Sequence, residues 1–310
     1  MQEKIYVIGH KSPDLDSVAG AISYAQFKNK LEGVNFYVPV VAGIINKETE
    51  YVLEKFGFEK PKILKDLKNK KVILVDHNEV SQSADGREGA EIVEVLDHHK
   101  VDFKYSELIV FKVLPWGASA SIIAHCYFKN NIKINKNLAG LILSAILVDT
   151  VITKSPTCTE KDKEIIEKLA EIAEIKDWKE YGMEIFKVRS SVSDLSPKEI
   201  IKSDFKDFVF KVGRIGIGQV ETVNLEELNS LEDNLLKSLN DLKKSGDYHS
   251  IILFITDIIK EGSRFLVASE DASGFEKAFK VKLKNNKVYI DKIISRKKQV
   301  IPKLTKIFDK

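Results

Sequence analysis

Three apolar runs of this chain end abruptly in acid and imidazole. Ile5 to Ile8 leads into Gly9-His10-Lys11-Ser12-Pro13-Asp14-Leu15-Asp16-Ser17, Val72 to Val75 into Asp76-His77-Asn78, and Val93 to Leu96 into Asp97-His98-His99-Lys100. A fourth apolar stretch, Leu138 to Val148, is helical in pattern and stops at Asp149. A carboxylate there faces the negative end of a helix dipole, a penalty that a bound cation removes. One such end is an ordinary turn, and capping a helix that starts near Val18 would explain Asp16 or Ser17 alone. Four ends carrying His10, Asp14, Asp16, Asp76, Asp97, His98, His99 and Asp149 read instead as one metal site. Oxygen and imidazole ligands without thiolate suit Mn²⁺, Co²⁺ or Zn²⁺ with open positions, and exclude a cysteine-type structural zinc. They are enough for two ions about 3.5 to 4 Å apart, an arrangement that activates water for attack on phosphorus. His125 and His249 have no acidic companions and read as structural.

Phosphoryl transfer also needs cations on the transferred and leaving oxygens. Lys206 and the run Ser295-Arg296-Lys297-Lys298-Gln299 offer them. The run follows a strand pattern and precedes Val300-Ile301-Pro302, which favours a site over a solvated surface stretch. Overall charge is only +3, too balanced for a nucleic-acid surface spread over the molecule. From Leu195 onward there are 22 basic and 17 acidic residues, +5, against −2 before it. Gly216-Ile217-Gly218 lies in a strand pattern and is a packing or bulge feature rather than a nucleotide loop.

The elements that must carry these residues alternate through the first half, which argues for a parallel sheet covered by helices. Strands are expected at Ile5 to Ile8, Phe36 to Val41, Lys71 to Val75 and Ile92 to Leu96. Helices are expected at Val18 to Lys30, Lys47 to Phe56, Ala118 to Lys129 and Leu138 to Leu147, the last buried on nearly every side. Glu160 to Arg189 reads as one or two solvent-facing helices. Polar residues 190–196 form a linker to a smaller mixed α/β domain. Its strands are expected near Phe208 to Lys211, Arg214 to Val223, Ile251 to Asp257, Arg264 to Ser269 and Val288 to Ile290, with a helix from Leu225 to Lys244.

At 310 residues two domains are expected. Two widely separated cysteines, Cys126 and Cys158, suit a reducing compartment. No apolar run reaches a membrane span and the start carries no signal-peptide pattern, so cytoplasmic localisation is expected, with neither membrane nor nucleic acid as partner.

The five motifs, in this order, resemble those of the family II inorganic pyrophosphatases, within the Asp-His-His (DHH) phosphoesterase superfamily. The likeness spans essentially the whole chain. It implies an α/β fold: a parallel-sheet DHH catalytic domain over 1–189 with helices on both faces, and a DHHA2 substrate-binding domain over 197–310. The active site would lie in the cleft between them. By the same resemblance His10, Asp14 and Asp76 hold one Mn²⁺, and Asp16, Asp76, His98 and Asp149 the other, with Asp76 bridging and Co²⁺ able to substitute. His99, Lys206, Arg296 and Lys297 bind pyrophosphate, which arrives with Mg²⁺. Asp97 orients a ligand from behind. Four carboxylates balance two divalent ions, so the anionic substrate requires the cations of the second domain. The implied reaction is in-line attack by a hydroxide bridging the two ions, with His99 as proton donor or hydrogen-bond partner. A homodimer through the first domain is also implied. An exopolyphosphatase, or another phosphodiesterase of the superfamily, is the alternative, and chain-length dependence of phosphate release separates the two.

Overall fold

The computed structural model describes residues 3–190, 195–223 and 225–309, without the side chains of Ser190, Glu227 and Lys297. Two compact units are present, Met1–Arg189 and Ser190–Lys310. Most of the expected linker, 191–194, lies outside the described residues.

The first unit runs β1 (Ile5–Ile8), α1 (Leu15–Glu32), β2 (Tyr37–Val41), α2 (Lys47–Lys55), β3 (Lys62–Ile63), β4 (Lys71–Val75), β5 (Glu91–Asp97), β6 (Val110–Val113), α3 (Ser119–Lys129), α4 (Lys136–Asp149), α5 (Glu160–Ala173) and α6 (Trp178–Ser190). Its six strands pair in parallel in the order β3-β2-β1-β4-β5-β6. Successive strand residues face opposite sides, so Val7, Ile73 and Val75 join the helices α1, α3, α4 and α5 in one core. Ile8, Leu74, Val72 and Val95 face a second core.

Covering of the two faces is uneven. All the α-helices pack on the first core, while the second is closed by loop residues such as Leu67, Ala84, Phe103 and Tyr105 and by two single 3-10 turns, Val80–Gln82 and Arg87–Gly89. The connections after β4 and β5 lead straight back to the next parallel strand and carry no α-helix. Residues 160–189 also depart from a solvent-facing reading. Ile165, Ile166, Leu169, Tyr181 and Ile185 are buried in the core, so α5 and α6 are amphipathic. β3 and β6 are additional to the expected strands: β3 has only two residues, and β6, although three of its four residues are apolar, is a partly exposed edge strand.

The second unit runs α7 (Pro197–Lys202), β7 (Phe205–Phe210), β8 (Gly213–Thr222), α8 (Glu232–Ser245), β9 (Ser250–Asp257), β10 (Gly262–Ser269), α9 (Ala272–Phe279), β11 (Lys287–Asp291) and α10 (Ile301–Phe308). The sheet order is β11-β10-β9-β8-β7, with β8 and β9 parallel and the other pairs antiparallel. One face packs on α7 and α8 through Ile201, Leu235 and Leu239, the other on α9 and α10 through Phe275, Phe279 and Leu304. The expected helix from Leu225 starts as a 3-10 segment, Leu225–Leu231, and becomes α-helical only at Glu232. Gly216 and Gly218 are packing positions: a β-carbon would stand 2.2 Å from the Phe205 ring and 2.6 Å from the Ile201 carbonyl, respectively. No helix of the described residues is long and apolar enough to cross a membrane.

Candidate metal centre and a cationic cavity

In the first unit the strand order reverses at β1 and β4, which lie side by side while their onward connections run to opposite edges. Ligands of open parallel sheets bind beyond the carboxyl ends of the strands at such a reversal. His10 and Asp14 follow β1, and Asp76 follows β4. A β-carbon on Gly9 would stand 1.8 Å from Ser17 Oγ, so glycine is what lets the end of β1 meet the start of α1 this closely. Asp14 is the N-cap of α1: one of its oxygens accepts from the Ser17 N–H at 2.9 Å, and the other faces His10 Nε2 at 3.3 Å. The helix therefore starts earlier than Val18, and Asp16 sits inside its first turn rather than capping it.

Asp76 adopts the left-handed region (φ 61°), tolerable for Asp, at the end of its strand. Its two oxygens face different imidazoles, Oδ2 lying 3.5 Å from His10 Nε2 and Oδ1 3.4 Å from His98 Nε2. His98 Nε2 also lies 3.3 Å from Asp149 Oδ2. Three groups result, His10 with Asp14 and Asp76, Asp16 with His98 and Asp149, and Asp76 with His98 and His99, the ligand atoms of each lying within 4.8 Å of one another.

The donor set fits divalent ions on two counts. Asp76 Oδ2 and His98 Nε2 are buried and have no hydrogen-bond partner among the described residues, a costly state that metal coordination would relieve. Asp76 and Asp149 are also pushed well above the usual carboxylate range, by burial first and then by their acidic neighbours, and Asp16 is raised by burial and Asp14. Carboxylates crowded this way share protons unless cations neutralise them. Asp14 moves the other way: against the push of burial, His10 and the Ser17 N–H draw it down.

A shell of fixed groups holds the donors. Both oxygens of Asp16 accept from the N-terminus of α3, from Ser119 N at 2.7 Å and Ala120 N at 2.9 Å, and Ser119 Oγ donates to Asp76 at 3.0 Å. His98 Nδ1 lies 3.0 Å from the Trp116 carbonyl, which accepts from Nδ1–H and so leaves the Nε2 lone pair for a metal. Asp97 Oδ1 accepts from the N–H groups of His98 and His99 and lies 2.9 Å from His99 Nδ1, while Asn78 donates to Oδ2. Asp97 thus orients the loop and the His99 ring. Although burial opposes it, these bonds draw Asp97 down to about 2, and the bond to Asp97 raises His99, whose ring is half exposed. His77 is buried between the Val75 carbonyl and Ser83 Oγ, with burial pushing it down to about 4. Asp149 ends α4 and is followed by three left-handed β-branched residues, Val151, Ile152 and Thr153, a conformation that costs of order 1–3 kcal/mol per residue and collects at functional sites.

Sequence reasoning missed Ser119, the Trp116 carbonyl and the α3 N-terminus. It also missed Glu48, buried at 3.5 Å from Arg189 in a cavity of about 470 Å³ that Asp14 and Asp149 also line. An acidic residue in the first turn of a helix reads as a dipole partner, so only packing distinguishes Glu48. His125 and His249 take structural contacts, with the Trp116 ring and with Ser250 Oγ.

In the second unit β7 begins at Phe205, so Lys206 is a strand residue, paired with Ile217. Lys206, Gln219, Ser295 and Arg296 line a cavity of about 610 Å³. Ser295 caps the turn Arg296–Val300, and Gln299 closes it by accepting from the N–H groups of Ile294 and Ser295 and donating to the Lys292 carbonyl at 2.6 Å. Arg296 is 9% exposed and ion-paired with Asp204 at 2.6 Å. The Lys297 side chain lies outside the described residues.

Residues 4–146 match the DHH family N-terminal domain and residues 183–307 the DHHA2 domain. A manganese-dependent inorganic pyrophosphatase of Methanothrix thermoacetophila is 46% identical over the full length of both chains. One from Methanocaldococcus jannaschii is 45% identical, covering 98% of this chain and 99% of its own. Among solved structures, a Methanococcus jannaschii protein assigned to the family II inorganic pyrophosphatases is 44% identical with a TM-score of 0.65, covering 99% of this chain and all of its own. An exopolyphosphatase-related protein from Bacteroides fragilis, 12% identical with a TM-score of 0.51, shares the fold alone.

Proposed function

This chain belongs to the manganese-dependent, family II inorganic pyrophosphatases of the DHH family, and from that membership we propose that it hydrolyses pyrophosphate to two phosphates. The observation that carries the reading is Asp76, a buried carboxylate with each oxygen turned to a different imidazole and one oxygen without a hydrogen-bond partner among the described residues.

His10, Asp14 and Asp76 would hold one Mn²⁺, and Asp16, Asp76, His98 and Asp149 a second, with Co²⁺ able to substitute. When bound, such ions supply Lewis acidity and a water that loses its proton near neutral pH. The chain's own contribution begins with position. Backbone N–H groups of α3 fix Asp16, Trp116 fixes the His98 tautomer, and Ser119 steadies Asp76. Lys206, Arg296 and Lys297 bind the phosphates of a substrate that arrives with Mg²⁺, neutralising the charge that grows on the leaving group. His99, protonated with the help of Asp97, donates a hydrogen bond or a proton to the departing phosphate.

A homodimer through the first unit is supported by β6, an edge strand of its sheet, which exposes Leu108, Val110 and Phe111 in and beside it. Two cysteines without a disulfide, Cys126 and Cys158, support a cytoplasmic location. Phosphate release from pyrophosphate, tripolyphosphate, ATP and a dinucleotide, with Mn²⁺ and Mg²⁺ present, tests the activity. Pyrophosphate is expected to be strongly preferred; equal or faster release from tripolyphosphate would move the assignment to exopolyphosphatase.

A further inference from the structure

Arg296 does not stand free in its cavity. Nη1 donates to the Asp204 carbonyl at 2.7 Å and to the Ile217 carbonyl at 3.2 Å, and Nη2 donates to Asp204 Oδ1 at 2.6 Å. These bonds use three of the five N–H donors of a guanidinium. Asp204 takes one hydrogen from each Nη and so occupies the end of the planar group. Among the described residues, the donors left over are Nε–H and the second Nη2 hydrogen. On a flat guanidinium those two lie side by side and parallel, the fork that grips two oxygens of one phosphoryl group.

We propose that Asp204 is a positioning residue for pyrophosphate binding: it clamps the end of Arg296 so that the side fork, Nε–H with one Nη2–H, is presented ready-made to a phosphate. The placement of the clamp supports this. Asp204 immediately precedes β7, two residues before Lys206, and Lys206 pairs with Ile217, whose carbonyl is the other anchor. One short stretch of the sheet therefore anchors Arg296 and carries Lys206, the two cations that line the cavity. A long side chain held beforehand gives up less rotamer freedom when it binds, which lowers the cost of association. The ion pair also leaves Arg296 charged and able to serve two anions at once, because the carboxylate and the phosphate use different edges. A lysine cannot do this, having no second edge.

This inference rests on reading Arg296 as a phosphate ligand, and the test separates the two. Steady-state hydrolysis by Mn²⁺-loaded protein is compared for wild type, Asp204→Ala, Asp204→Asn, Arg296→Ala and the double variant Asp204→Ala/Arg296→Ala. Asp204→Ala is expected to raise KM for pyrophosphate about 10-fold, more than it lowers kcat, and Asp204→Asn, which keeps the Oδ1 acceptor, to raise it less. Adding Asp204→Ala to Arg296→Ala should cost nothing further, since the clamped group is gone. If Arg296→Ala raises KM while Asp204→Ala leaves it within twofold of wild type or lowers it, the clamp is wrong and the ligand reading stands. Independent, multiplying effects in the double variant also reject the clamp. An unchanged KM in Arg296→Ala rejects the ligand reading itself. Asp204→Asn keeps the comparison decidable should the alanine variant fold poorly.

Discussion

The metal centre of the first unit and the cationic cavity of the second are built on opposite principles. In the first, like charges are forced together. Asp14, Asp16, Asp76 and Asp149 converge from three strand and helix ends, and burial with mutual repulsion raises three of the four. In the second, Arg296 is compensated within the protein by Asp204 and two carbonyls, and Lys206 remains exposed on its strand. The first arrangement is incomplete without cations, and its stability is tied to them. The second is complete as a protein and only adds a substrate. Ligand geometry differs accordingly. Asp14 and Asp16 are held by backbone N–H groups at helix starts, whereas a lone lysine keeps its freedom until phosphate arrives.

The largest effect should come from breaking the crowded side. Asp76→Ala or His98→Ala is expected to lower Mn²⁺-supported phosphate release by at least about 10³-fold and to reduce the Mn²⁺ bound at equilibrium. Wild-type rates in either variant would remove the contrast altogether. Next, Lys206→Ala and Arg296→Ala should keep their metal content while KM for pyrophosphate rises about 10- to 100-fold, as loss of a charge-assisted bond implies; metal loss in these variants would show that the two regions are not separable. Asp97→Asn sharpens the picture inside the metal centre. It should lower kcat about 10-fold. Because Asp97 raises His99, its loss moves the alkaline limb of the pH–rate profile to lower pH. An unmoved limb would take His99 out of the proton donor's role.

Chelation tests the same contrast through stability, and the sign of its pH dependence follows from linkage. Carboxyls raised in the folded metal-free protein still hold protons that the unfolded chain has released above about pH 4. The folded state then binds more protons, so metal-free stability falls as pH rises towards the raised values. Bound cations remove the repulsion. The stability gap between Mn²⁺-loaded and chelated protein, followed by denaturant unfolding, should therefore widen from pH 5 to pH 7, reaching about 2.7 kcal/mol with ion at a hundred times its Kd. A gap that narrows with rising pH would mean the carboxylates are not crowded in solution.

What could be read in advance depended on whether a residue's role shows in its local pattern. His10, Asp14, Asp76 and His98 stand where apolar runs stop, a break that any fold must turn into a strand end. Lys206 had weaker surroundings because β7, Phe205-Lys206-Asp207-Phe208-Val209-Phe210, buries only Phe210 fully and shows no regular alternation, leaving no clean apolar signal. Ser119 and the Trp116 carbonyl carried no signal at all. Ser119 matters because α3 starts opposite Asp16, over a hundred residues away in the chain, and Trp116 because its carbonyl meets the His98 ring across the β5–α3 connection. The same holds for Glu48 and Arg189, an ordinary helix acid and base until packing buries one of them against the other.

From the amino-acid order alone came the inventory: which donors exist, that they are oxygen and nitrogen rather than sulfur, and that most follow buried strands. Hydropathy and side-chain chemistry are local properties, so they survive without coordinates. Only the tertiary arrangement decided that Asp76 turns each oxygen to a different imidazole, that Asp16 rests on the N-terminus of α3, and that Asp204 occupies one edge of Arg296. Those are relations between segments distant in the chain, set by strand order and packing, and no window of sequence contains them.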